Sequence, residues 1–434
     1  MFVEYHRDSG ESRYFKAMFS KIFKRNKYFC GKIKMLKNKI KSLSNKYHKD
    51  TIAHRRHLHK NPELSYQEVE TGKFIAERLK EFGIPFQHGI AENGVVGLIK
   101  GKKNGTKGRK KVVALRADMD ALPILEANKV SYKSKNKGVM HACGHDVHTS
   151  SLLTTARILN EVKDQFNGTI KLIFQPAEEK MPGGASIMIK EGVLENPAPK
   201  SIFGQHVHPP LEVGKIGMRP GMYMASADEL YLTVKGKGGH GALPHDCIDP
   251  ILIASHIIVA LQQIVSRNSN PTTPSVVTFG KINSTGGATN IIPNEVKLAG
   301  TFRTMDEKWR MEAHQLLRTM VRNMGKAMGG TAKLNIVKGY PFLVNDEVLT
   351  MRARKWAEEF MGKENVVDLP IRMTAEDFSY YSQKMPACFY RLGTGNAKKG
   401  ITSPVHTNTF DVDENCLKFS SGLMAYMAVE ELGT

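Results

Sequence analysis

Apolar positions fall into a few recurring patterns along the chain. Near the N-terminus Phe15, Met18, Phe19, Ile22 and Phe23 recur at helical spacing among Lys16, Lys21, Lys24 and Arg25, which predicts a basic amphipathic helix. A cleaner apolar face opens at Met35, with Leu36, Ile40, Leu43 and Tyr47 on one side. A further helix is predicted over 48–60, ended at Asn61-Pro62 because the residue before a proline is pushed out of the helical region. Another, over 67–82, stops at Gly83 and Pro85. Apolar runs then predict strands over 95–100, 112–116, 169–174 and 202–204, with a helix over 145–162 between the second and third. Such alternation indicates an α/β fold, a mostly parallel sheet with helices on both faces.

The rhythm changes after Arg219-Pro220-Gly221. Strand 229–235, helix 250–265, strands 275–282 and 295–304, helix 307–328 and strand 331–337 follow in the order of a ferredoxin-like α+β domain. The chain is expected to rejoin the first domain at about Gly339, with a helix over 347–361, a strand over 387–392 and a closing helix over 413–431. The expected division is a basic extension over 1–34 that the fold does not need, a main domain in two parts over 35–218 and 339–434, and an inserted domain over 219–338.

A chain of 434 residues is long enough for two or three cores. Its formal charge of +21 suggests a nucleic-acid partner only until the charge is located. Residues 1–50 hold 14 Lys/Arg against 4 Asp/Glu, about half of the excess, and no aromatic-interleaved basic stripe runs through the body. No nucleic-acid partner is therefore expected. The basic N-terminal helix could touch an anionic membrane or serve as a transit peptide. An upstream extension is expected instead, with no stable membrane insertion, since no apolar run reaches the length of a span or a secretory signal. Cys30, Cys143, Cys247, Cys388 and Cys416 are odd in number and far apart. That suits a reducing compartment, and a cytoplasmic location is expected.

The densest chemistry lies in His141-Ala142-Cys143-Gly144-His145-Asp146-Val147-His148. A thiolate and an imidazole flanking a glycine can turn towards one cation. Predicted strand ends deliver more candidates: Asp118 and Asp120, Glu178 and Glu179, and His206 and His208, with His406 in the turn before the last helix. In open α/β sheets ligands sit beyond the carboxyl ends of strands. Cys143, His145, Glu179, His206 and His406 together suit two borderline divalent cations sharing a bridging group. Glu178, beside Glu179, is then free to act as a general base on water.

These residues fall in motifs that resemble the M20 metallopeptidases, and in particular the amidohydrolase branch that cleaves N-acyl amino acids, hippurate and auxin–amino acid conjugates. The matching runs include Arg55-Arg56-His57-Leu58-His59, Asn61-Pro62-Glu63-Leu64-Ser65, Arg116-Ala117-Asp118-Met119-Asp120 and His141–His148. They continue with Gln175–Glu179, Gly238-Gly239-His240-Gly241-Ala242, Asn290-Ile291-Ile292-Pro293, Gly300-Thr301-Phe302-Arg303-Thr304 and Ala375-Glu376-Asp377-Phe378. The resemblance runs in order from about Met35 to the C-terminus.

It implies a binuclear amidohydrolase with metal ligands Cys143, His145, Glu179, His206 and His406, Cys143 bridging the two ions, and Glu178 as general base. The ions would be Zn or Mn, with Co or Ni possible. It also implies that His240 reaches the substrate, often across a homodimer, and that Asn290 and Arg303 face the substrate carboxylate. The expected substrate is an N-acyl amino acid; the alternative is a dipeptidase or carboxypeptidase of the same family. Asp120 is expected to orient a metal-binding imidazole, His208 to lie at the rim, and His57 and His59 to be satisfied structural histidines.

Overall fold

The computed structural model describes residues 9–102 and 111–433, with side chains from Met35 onward; Phe15 to Arg25 and Cys30 therefore lie outside the described side chains. The two helices expected between Met35 and Lys60 are one, part of a continuous helix Ser9–Lys60. No glycine or proline interrupts 35–60, so nothing in the backbone breaks it. Its Leu36, Ile40, Leu43 and Tyr47 are buried.

The main sheet has eight strands. The central four, Thr169–Gln175, Val112–Asp118, Ser201–Glu212 and Ala387–Gly395, are parallel neighbours. Gly94–Lys100 and Phe86–Ile90 extend one side as antiparallel strands, and Ile216–Met218 joins the other side antiparallel to Ala387–Gly395. The sheet is thus mixed, with a parallel centre. The strand expected at 202–204 runs much further, over Ser201–Glu212, so His206 and His208 lie within it rather than past its end. The long helices Ser9–Lys60, His145–Glu161, Glu347–Met361 and Cys416–Gly433 share a core on one face. The other face is covered by the short helices Gly184–Lys190 and Ser379–Ser382 and by the strand pair Gly221–Met224 with Leu343–Asn345.

The inserted ferredoxin-like domain pairs Ser275–Ser284, Glu295–Thr304, Asp228–Lys235 and Thr331–Lys338 into an antiparallel sheet in that order. Helices Pro250–Gln263 and Glu307–Ala327 cover one face of it with their own core. Both helices start where the sequence supplies a cap: Asp249 accepts from Ile251 N and Leu252 N, and Asp306 from Trp309 N. Pro250–Asn268 is long and apolar enough to cross a membrane, but Ile253, Ala254, Ile257 and Leu261 pack on the sheet. Its outer side leaves Ile251, Leu252 and Val259 exposed.

The chain enters and leaves this domain through one seam. Ala227 N donates to Tyr340 O at 2.9 Å, and Gly339 N to Ala227 O at 2.9 Å. Arg310 Nη2 donates to Ala227 O and Gly339 O at 3.2 and 3.0 Å, so a residue of the inserted domain ties both crossings together. Arg310 is held in turn by Asp228, which also takes a hydrogen bond from His314 Nε2 at 2.7 Å. Burial works against the Asp228 charge, but His314 and Arg310 outweigh it and lower its pKa to about 2. A depressed carboxylate pKa stabilises the fold above the ordinary value of 3.8 and loses that contribution as pH falls towards about 2. The stability difference between the wild type and Asp228→Asn, measured by denaturant unfolding, is therefore expected to shrink across that window.

Candidate metal centre

Gly144 sets the local geometry. It takes φ +84° as the N-cap of helix His145–Glu161, and a Cβ there would lie 2.6 Å from Val207 Cγ2. Only glycine fits both demands. The chain turns sharply between Cys143 and His145, and the two side chains share one buried cluster with His206. On the facing loop, Ala177 (φ +52°) precedes Glu178, and His406 itself sits at φ +64°. Such strained conformations persist only where the surroundings hold them. Here Glu68 Oε1 accepts from Ala177 N at 2.7 Å and His406 N donates to Ala142 O at 2.8 Å.

All five predicted ligands converge. Cys143 Sγ lies 3.4 Å from His206 Nε2 and 3.3 Å from His406 Nε2. Glu179 Oε1 lies 3.3 Å from His406 Nε2 and 3.9 Å from His145 Nε2. Cys143 belongs to two compact donor groups at once, one with His145 and His206 and one with Glu179 and His406.

Two of the three imidazoles are also correctly polarised. His206 Nδ1 donates to Val207 O at 2.8 Å and His145 Nδ1 to Asp120 O at 2.9 Å, leaving each Nε2 lone pair aimed into the cluster. His145 Nε2 and Glu179 Oε1 are buried atoms with no hydrogen-bond partner. A thiol, imidazoles and a carboxylate facing one another, two of their inward atoms orphaned and one donor common to two groups, fit a pair of borderline divalent cations. Burial and the nearby Glu179 and Glu178 push the Cys143 thiol well above its usual range, a tendency that a coordinated cation reverses.

Asp120 does more than orient one imidazole. Its Oδ1 lies 3.1 Å from His145 Nδ1, while Oδ2 accepts from Glu179 N at 2.9 Å and Ser65 Oγ at 2.6 Å. One carboxylate thereby fixes two candidate ligands. His148 is a buried partner that the sequence reading left without a role. It accepts from Val207 N at Nε2 and so donates from Nδ1 to Asp118, at 2.9 and 2.5 Å, which leaves it no lone pair for a metal.

Glu178 is buried beside Glu376 and Asp377. Burial, then the neighbouring carboxylates Glu376, Glu179 and Asp377, raise its pKa well above the ordinary range. Its Oε1 accepts a long hydrogen bond from Asp377 N at 3.4 Å, and its carbonyl oxygen accepts from Tyr340 Oη at 2.6 Å. Arg116 underlies the group, donating to Asp118 and Asp377 at 2.6 and 2.7 Å with Glu376 at 3.1 Å. Arg116, Glu376 and Asp377 were visible only as motif residues, because their contact joins segments far apart in sequence.

The other candidates lie elsewhere. His240 and Asn290 come together in the inserted domain, where Gly239–His240 pairs with Ile291–Ile292 and Gly241 N donates to Asn290 O at 2.7 Å. Both are exposed. Arg303 is half-buried on Glu295–Thr304. His240 belongs to none of the donor groups around Cys143. His59 is a satisfied buried histidine, 2.8 Å from Asp146 and 3.3 Å from Glu126, and His57 stacks on Phe74.

A family model described as peptidase family M20/M25/M40 matches residues 114–429. Thermostable carboxypeptidase 2 of Saccharolobus solfataricus is 40% identical over 401 residues, covering 92% of this chain and 98% of that protein. N-acetyl-L-cysteine deacetylase of Bacillus subtilis is 41% identical over 85% of each chain. IAA-amino acid hydrolase ILR1-like 4 of Arabidopsis thaliana is 39% identical over 87% of this chain and 84% of its own. Among solved structures, the Bacillus subtilis YXEP protein, described as a dinuclear metal binding peptidase from the M20 family, superposes with a TM-score of 0.76 at 34% identity, over 90% of this chain and 99% of that one. With its five candidate donors gathered in one place, the chain belongs to peptidase family M20/M25/M40.

Proposed function

We propose that the protein is a binuclear metal-dependent amidohydrolase that cleaves the amide bond of N-acyl amino acids, giving a carboxylate and a free amino acid. The observation that carries this reading is the convergence of Cys143, His145, Glu179, His206 and His406 with a buried carboxylate, Glu178, beside them. Relatives named as an N-acetyl-L-cysteine deacetylase and an IAA-amino acid hydrolase, at about 40% identity, support the substrate class.

In this reading Cys143, common to two of the donor groups, would help to hold both ions together with His145, Glu179, His206 and His406; Zn or Mn would suit these donors, with Co or Ni as substitutes. When bound, such ions polarise a carbonyl oxygen and ease the loss of a proton from water. Glu178 accepts that proton at its carboxylate and delivers it to the departing amine nitrogen. The Asp377 amide and the Tyr340 hydroxyl hold the residue in place for both transfers. His240 meets the scissile carbonyl, and Asn290 with Arg303 meets the substrate carboxylate, which Arg can grip with two parallel hydrogen bonds. The exposed apolar side of Pro250–Asn268, with Ile251, Leu252 and Val259, supports a homodimer through the inserted domain. Unpaired cysteines among the described residues accord with a cytoplasmic location.

The test is a panel of N-acetyl, N-benzoyl and indole-acyl amino acids assayed with Mn, Zn or Co. Because equally similar relatives are named carboxypeptidases, unblocked dipeptides and N-acylated dipeptides belong in the panel, and faster turnover of these than of N-acyl amino acids would displace the proposal. Removing metal with a chelator is expected to abolish activity and lower the melting temperature. An ion held at a hundred times its Kd stabilises the fold by about 2.7 kcal/mol. Elemental analysis showing one ion per fully active chain would refute a binuclear centre.

A further inference from the structure

Four arginines are buried among the described residues: Arg55, Arg116, Arg310 and Arg391. Arg55 is paired with Asp146, Asp411 and Glu414; Arg116 with Asp118, Glu376 and Asp377; Arg310 with Asp228 and Glu307. Arg391, 4% exposed, has polar contacts of another kind. Its Nε donates to Tyr223 Oη at 2.8 Å, its Nη2 lies 3.1 Å from Met224 Sδ, and its guanidinium stands by the rings of Phe389 and Tyr223. The acid whose field it reaches, Glu376, is already taken by Arg116. A buried guanidinium with no carboxylate is costly to maintain.

A second cation stands near it. Arg372 is half-buried, and its Nε is a buried atom with no partner. Its backbone is fixed from both sides, its N donating to Tyr223 O at 2.9 Å and its O accepting from Ala225 N at 3.2 Å. Burial and the charge of Arg391 depress its pKa. Arg391 adjoins the candidate metal centre, and Arg372 stands within the field of Arg391. Arg391 is the register neighbour of His206 in the parallel sheet, and His208, two residues on and on the same face, is half-buried within the field of both.

We propose that Arg391 and Arg372, with His208 beside them, form a carboxylate-binding subsite next to the metal centre, filled by an anionic group of the substrate. The inference rests on the amidohydrolase reading for the identity of that substrate. Two carboxylates can supply the chemistry: a second carboxylate at the far end of the acyl chain, or the α-carboxylate of the amino acid half, which Arg391 and Arg372 would then take in place of Asn290 and Arg303.

Arg372→Gln tests this, since the residue is half-buried and stands outside the catalytic machinery; an unchanged melting temperature confirms its fold. Wild type and variant are compared as metal-loaded enzyme on N-acetylmethionine and N-succinylmethionine, and by calorimetry with succinate and with methionine. A KM raised about tenfold or more for the succinyl substrate alone, with weaker succinate binding, assigns the subsite to the acyl end. KM raised equally for both substrates, with weaker methionine binding, assigns it to the α-carboxylate. Unchanged KM values and unchanged binding of both ligands overturn the subsite. A wild type that hydrolyses neither these substrates nor any N-acyl amino acid of the wider panel refutes the amidohydrolase reading instead, and the calorimetry then decides the subsite by itself: weaker binding of succinate or methionine by the variant sustains it, and undiminished or undetectable binding overturns it.

Discussion

Glu178→Gln is expected to lower turnover by at least ~100-fold, the scale of a positioned acid/base, with metal content and melting temperature preserved. The substitution keeps the shape of the side chain and its place beside Asp377 N, but glutamine can neither accept a proton from water nor return one to an amine. It also relieves crowding among buried carboxyls, since Glu376, Glu179 and Asp377 all raise the pKa of Glu178. The measurement is steady-state turnover at matched metal occupancy. Wild-type rates in the variant would remove Glu178 from its role and leave Glu376 or Asp377 as the carboxyl to test.

The second large effect is expected at His240. It is exposed on a two-residue strand, and its Nδ1 accepts from Ala242 N at 3.1 Å, so its Nε2 carries the proton and can donate. One donor to a developing oxyanion contributes about 2.7–4 kcal/mol, and His240→Ala is expected to lower kcat by roughly two to three orders of magnitude. Mixing His240→Ala with Glu178→Gln protomers identifies which subunit supplies it. If the imidazole serves the partner's site, a mixed dimer has one doubly damaged site and one intact site, and activity returns. If it serves its own site, every site is damaged and none returns. Proven subunit exchange without recovery would exclude service across the dimer.

The site was legible where local chemistry and strand ends coincide. Cys143, Gly144 and His145 stand out because a glycine between two soft donors has few other uses, and Glu178 and Glu179 follow a strand whose apolar run is plain. The inserted domain was legible from the order of its strands and helices alone, since each has a clear period. What escaped depends on distant partners. Arg116 finds Asp377 across most of the chain, and the three-residue strands Ile216–Met218 and Val366–Asp368 are too short to carry a period at all. Ser201–Glu212 outran its prediction because His206, His208, Pro209 and Pro210 do not look like strand interior. The parallel neighbour Ala387–Gly395 pairs with it well past that point.

The seam at Ala227 and Gly339 gives the inserted domain the character of a cassette. Its two ends are hydrogen-bonded to each other, so the surrounding sheet closes around a gap of almost no width, whatever the cassette contains. The entropy of closing a loop grows by only about 0.6 kcal/mol for each doubling of its length. The cassette could therefore lengthen, shrink or be exchanged in descendants of this chain at little cost to the sheet. Such an exchange would have to carry its own latch, because Arg310, which fastens both ends, travels with the cassette rather than with the frame.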